Sequence, residues 1–134
     1  MNILNFGDLL TAAGQQPEPQ LLLFVFAKAE LPEGATDEQQ KSFTAGSGGA
    51  LTPVICVDKS LDELTDFAAL TAESERTGQD WDLVFVSSLS GHGGIIPTTE
   101  QAEQPLQMMV QAIHSGKIAS LLALDKQGQT LSFY

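Results

Sequence analysis

Cysteine is nearly absent from this chain of 134 residues: Cys56 stands alone, which rules out an intramolecular disulfide and any multi-cysteine metal site. A reducing compartment fits a chain made without such cross-links. Positive charge is scarce as well, with 6 Lys and Arg against 17 Asp and Glu and a net charge of −11. Nucleic-acid binding draws most of its affinity from Lys and Arg that neutralise phosphates, so a few scattered cations without a basic run exclude that class of partner. Anionic membrane surfaces are excluded on the same ground. Long apolar runs are missing too, since the longest, Leu21–Ala27, falls far below the roughly 20 residues needed to span a bilayer. Met1–Leu10 carries Asp8 and no basic residue, so it lacks the positive segment of a secretory signal. A cytoplasmic, unanchored protein is the expectation. The 2 histidines, His92 and His114, are far apart, so neither a histidine metal site nor any cofactor is expected.

What the chain does have is a 43% apolar composition and a length suited to one domain with a sizeable core, taken as residues 1–134. Phe6, Leu9, Leu10 and Ala13 share one helix face, and Gly14 with Pro17 ends the pattern. Leu21–Ala27 reads as a central strand covered on both faces. Residues 28–50 are irregular, acidic and glycine-rich, with a short helix expected from about Asp37 to Ala45 and a flexible stretch at Gly46–Gly49. Leu51–Val57 is a second buried strand, with Pro53 placing its start at an edge or a bulge. Ser60 and Glu63 form a capping box for a helix running to about Arg76, with Leu61, Leu64, Phe67, Ala68 and Thr71 on one face.

Trp81–Leu89 is a third strand, with Leu83, Phe85 and Leu89 on one face and Val84 and Val86 on the other. A helix then begins between Thr98 and Gln104, since Pro105 belongs in a first turn, and buries Leu106, Met109, Val110 and Ile113 before Gly116. Ile118–Leu124 and Thr130–Tyr134 flank a turn at Asp125–Gly128, which is a carboxyl-terminal β-hairpin. Strands alternating with helices predict an α/β fold: a mixed, mostly parallel sheet of about five strands with helices packed on it, and α+β in two layers as the alternative.

In a parallel sheet the carboxyl ends of the strands share one edge, where open α/β folds place their ligands. Lys28, Lys59 and Lys126 follow three of the predicted strands and His92 follows another, so the scarce cations would gather there with the amides of Gly91, Gly93 and Gly94. A small anion or phosphometabolite is the natural occupant of such an edge. The bland alternative is a lysine wherever a strand leaves the core, and a mobile surface loop at Ser90–Gly94, which matches no phosphate-loop or dinucleotide fingerprint. Cys56, inside an apolar strand, reads as a buried and unreactive thiol. His114 sits where a cation complements a helix dipole, and Met108–Met109 includes one core position. The acids Asp62, Glu63, Asp66, Glu73 and Glu75 lie on a solvated helix rather than across a cleft, so no carboxylate pair for catalysis is expected.

The order Leu22-Phe24-Val25-Phe26-Ala27, Gly49-Ala50-Leu51-Thr52-Pro53, Cys56-Val57-Asp58-Lys59, Val84-Phe85-Val86, Leu89-Ser90-Gly91 and Pro105-Leu106-Gln107-Met109 resembles, over nearly the whole chain, a small bacterial family carried under the label "ribonucleotide reductase subunit alpha". The resemblance implies a single-domain fold and no catalytic residues. The catalytic large subunit of that reductase is several times longer and works with several cysteines, where this chain has Cys56 alone. Leu51-Thr52-Pro53-Val54, Leu61–Phe67 and Ile113–Leu124 are also similar, more weakly, to SseB-like (enhanced serine sensitivity) domains, which implies an α+β domain that binds partners. The expected function is a non-enzymatic domain that binds a protein partner or itself. The alternative is the anion or phosphometabolite site, enzymatic or not, at the strand ends.

Overall fold

The computed structural model describes residues 3–30, 50–115, 117, 118 and 121–131. The expected helix at 37–45 and the glycine stretch at 46–49 lie outside these residues. The chain begins with helix α1 (Phe6–Gly14), capped by the Asn5 side chain, which accepts the Asp8 N–H. Phe6, Leu9 and Ala13 are its buried face, as their spacing predicts. Strand β1 (Gln20–Glu30) follows the proline linker and carries the apolar run Leu21–Ala27, in which no side chain is more than 4% exposed.

β1 lies between β2 (Ala50–Ser60) and β3 (Leu83–Ser90), and β4 (Leu122–Leu124) completes the order β2-β1-β3-β4. Every pairing is antiparallel, so the expected mostly parallel sheet of about five strands is replaced by four antiparallel ones. The run at 21–27 misled on direction because burial on both faces, the property it reports, arises here in an antiparallel sheet with helices on each side. α1, α2 (Phe67–Glu75) and the aromatic cluster of Phe6, Phe24, Phe26, Phe67 and Trp81 cover one face, which we call face A. α3 (Thr99–His114) covers the other, face B, through Ala102, Met109 and Ile113 against Leu23, Val25 and Phe85. The two helical layers also depart from the two-layer α+β alternative.

Local corrections have local causes. The helix expected from Leu61 to Arg76 breaks into a 3-10 turn (Leu61–Glu63) and α2. The Ser60–Glu63 capping box forms, but Leu64 is extended, and Asp66 starts α2 afresh by accepting the Ala69 N–H at 2.8 Å. α3 starts at Thr99 behind a Thr98–Gln101 capping box, which puts Pro105 in the second turn, not the first, at the loss of one helical hydrogen bond. The carboxyl-terminal hairpin turn forms, with Asp125 N–H donating to the Gln129 carbonyl at 2.8 Å and a bridge between Leu124 and Thr130. Its expected second strand is reduced, among the described residues, to that bridge, and residues 132–134 lie outside them. The same segment pairs with the amino terminus, where Thr130 N–H donates to the Leu4 carbonyl at 3.1 Å.

β2 is, with β4, an edge strand among the described residues, and the expected second buried strand is thereby corrected: from Leu51 to Val57 its side chains are half-buried, and Cys56 is exposed. Pro53 sits beside a β-bulge, where the register shifts between Phe26 and Ala27 of β1, one of the places a strand tolerates proline. Among the described residues no helix is long and apolar enough to cross a membrane.

Candidate functional site

Antiparallel pairing sends successive strand ends to opposite edges of the sheet. Lys28, near the end of β1, and Lys126, after β4, lie at one edge; Lys59, near the end of β2, and His92, after β3, lie at the other. The single cationic edge expected from parallel strands is therefore divided. Two of the lysines are also engaged. Lys59 Nζ is 2.7 Å from Glu73 Oε1 on α2, and Lys126 Nζ stands 5.5 Å from the centroid of the Trp81 ring in a cation–π contact. Trp81 is itself held by its indole N–H, which donates to Ser74 Oγ at 2.8 Å.

The Ser90–Gly94 loop is a tight hairpin rather than an open loop. His92 and Ile95 exchange backbone hydrogen bonds of 3.1 and 3.0 Å, and Gly93 and Gly94 take φ of 61° and 78°, the left-handed values a two-residue type I′ turn demands. Gly91 has a different reason to be glycine: a Cβ there would stand 2.2 Å from the Ile95 carbonyl oxygen. The hairpin is tied to the proline linker, with Gly91 N–H donating to the Pro19 carbonyl and Gly94 N–H to Glu18 Oε2, each at 2.8 Å. The glycines thus serve the turn itself, and the Gly91 and Gly94 amides are already bonded within the protein.

Beside the hairpin lies a cavity of about 320 Å³ lined by Leu89, Gly91, His92, Ile95, Ile96 and Gln101, large enough for a small ligand. Its polar groups are few. Ser90 Oγ accepts from Gln20 Nε2 at 3.0 Å, and Gln101 Oε1 accepts the Thr98 N–H at 2.9 Å within the helix cap. Among the described residues His92 is the one ionisable side chain in the lining, and no second acid or base stands there to work with it. Among the described residues no group of three or more His, Cys, Asp or Glu could hold a metal ion.

The outer edge of β2, which no strand pairs with among the described residues, offers more. Ala27 directs its carbonyl to β3, where it accepts the Asp82 N–H at 2.9 Å, so odd-numbered residues of β1 face β3 and even-numbered ones face β2. The register then turns the backbone groups of Val57 and Lys59 inward to β1 and those of Cys56, Asp58 and Ser60 outward. Side chains alternate as well. Ile55 and Val57 join face A, where a gap of about 50 Å³ separates them from Leu70, Glu73 and Thr77 of the α2 region. Leu51 lies on face B, as does Asp58, which accepts the Thr99 hydroxyl at 2.8 Å.

Cys56 sits mid-strand with Val25 as its register partner, and its expected burial is corrected to an exposed position on the edge. Burial of part of the side chain still pushes its pKa up, so it remains a thiol near neutral pH and a poor nucleophile. Sequence reasoning passed over this strand as core. Pro53 was the signal in hand, because proline within a strand marks an edge or a bulge and here marks both. No family model, curated protein or solved structure matches the chain, so its function is argued from its own geometry.

Proposed function

We propose that the chain is a non-enzymatic protein-binding domain whose docking element is the outer edge of β2. The observation that supports it is an 11-residue edge strand with half-buried apolar side chains on both faces and, among the described residues, no strand on its outer side. Long apolar edges attract further strands, and proteins that do not use them cover them or break them with charge. β2 carries no charged residue from Ala50 to Val57. An added strand would gain backbone hydrogen bonds from the outward groups of Cys56 and Asp58, each worth about 0.5–1.5 kcal/mol net, whereas the Ser60 N–H is already held by Glu63. It would also cover apolar surface on Leu51, Ile55 and Val57.

An extended peptide selected from a random display library against the full chain supplies the probe. Binding is expected to slow hydrogen exchange at the Cys56 and Asp58 amides, and Cys56→Pro, which removes an outward N–H without touching the β1 ladder, is expected to abolish it. Cys56→Lys provides a second variant should proline disturb the bulge. A peptide that binds equally well to both variants and leaves those amides unprotected would place the interaction elsewhere and end this reading.

A further inference from the structure

We propose that the occupant of the β2 edge is an extended segment of a different protein, basic at its amino-terminal end and apolar after it, added antiparallel to β2. The inference rests on β2 being the docking edge and adds the chemistry of the partner. Charge is polarised along this strand. Ala50–Val57 is uncharged, whereas Asp58 near its end is followed by Asp62 and Glu63 on the 3-10 turn, which packs against β1 and β2. Lys59, the cation of that end, is taken by Glu73 at 2.7 Å. An antiparallel strand begins where β2 ends, so its first residues meet the acidic end and its later ones meet Leu51, Ile55 and Val57. Antiparallel addition also continues the direction of every pairing in the sheet.

A second copy of the chain fits less well. Twofold pairing of β2 with itself offers Asp58 the uncharged half of the other strand, its own counterpart, or a Lys59 already held by Glu73. Each copy also brings a net charge of −11. A basic partner is drawn in by the same field that keeps copies apart, and that attraction falls with added salt.

The test selects peptides from an unbiased display library on the full chain, then compares each binder with a version whose Lys and Arg are changed to Glu. The expected result is Lys or Arg ahead of an alternating apolar core, with affinity falling about tenfold on the change to Glu, as for other steered charge pairs. That difference should shrink in Asp62→Lys, an exposed position, and in high salt, while Cys56→Pro abolishes binding altogether. Binders lost in Cys56→Pro but indifferent to charge would overturn the basic partner and leave the docking edge standing. Binders unaffected by Cys56→Pro would overturn both. A dimer in sedimentation that Cys56→Lys converts to monomer would name the second copy as occupant and overturn the proposal.

Discussion

β1 and β2 are paired strands of 11 residues each, and both hold an unbroken run of mostly apolar side chains. In β1 that run is sealed, since helices lie on each face and a strand on each side. In β2 a similar composition is half-buried and, among the described residues, has no strand on its outer side. Hydrophobic composition reports a strand's demand for burial, whereas its place in the sheet decides whether that demand is met inside the protein. An unmet demand on an edge is what a partner can satisfy.

The comparison is most directly broken by truncating paired positions across the two strands. Phe24, fully buried, faces half-buried Val57 in the register. Phe24→Ala should cost about 3–5 kcal/mol of stability in urea unfolding, because it empties a packed volume. Val57→Ala should cost about 1 kcal/mol, the usual value for a side chain that water already reaches. Equal losses would mean that β2 is covered in solution and that the edge is not free.

Gly91, bonded to the linker just before β1, extends the contrast to backbone packing. Gly91→Ala forces a methyl to within 2.2 Å of the Ile95 carbonyl oxygen and should cost roughly 1–3 kcal/mol by overpacking. Thermal melting without loss would show that the hairpin can open, and would return the glycine loop to the list of mobile elements. Cys56→Lys should leave stability within about 0.5 kcal/mol, as at other exposed sites, while the same change at Val25, its buried partner, should prevent folding. Circular dichroism of the two variants separates those outcomes.

The smallest effect concerns acid. The Ser60 backbone N–H bonded to the Glu63 carboxylate, helped by the Ser60 hydroxyl and by Lys59, holds the Glu63 pKa below the usual carboxylate range. The folded state therefore favours the charged form, and this contribution is present above the unfolded pKa and lost as pH falls through the folded one. Glu63→Gln should flatten slightly the fall in stability on acidification, measured as urea midpoints across that range. An unchanged pH dependence would show that the capping box at the end of β2 is open in solution.

Much of the fold was legible in short-range patterns. The helix faces Phe6-Leu9-Ala13 and Met109-Ile113 follow from helical spacing, and the two faces of β3 from alternation. The Ser60–Glu63 and Thr98–Gln101 caps depend only on residues three apart, as does the Asp66 cap that broke the expected long helix. The candidate site was less legible. Lys28, Lys59, His92 and Lys126 looked like a cluster because each follows a strand, yet a strand's end has an address only once its direction is known.

The sequence by itself determined the chemical character of the elements: which faces are apolar, where residues that can cap a helix stand, and that cations are rare. Those properties reside in side chains a few residues apart. Only the tertiary structure decided the direction and order of the strands, because pairing joins residues far apart in the chain and apolar side chains pack as readily in either direction. That choice divided the cations between two edges, and it turned Leu51–Val57 from expected core into the open side of the sheet.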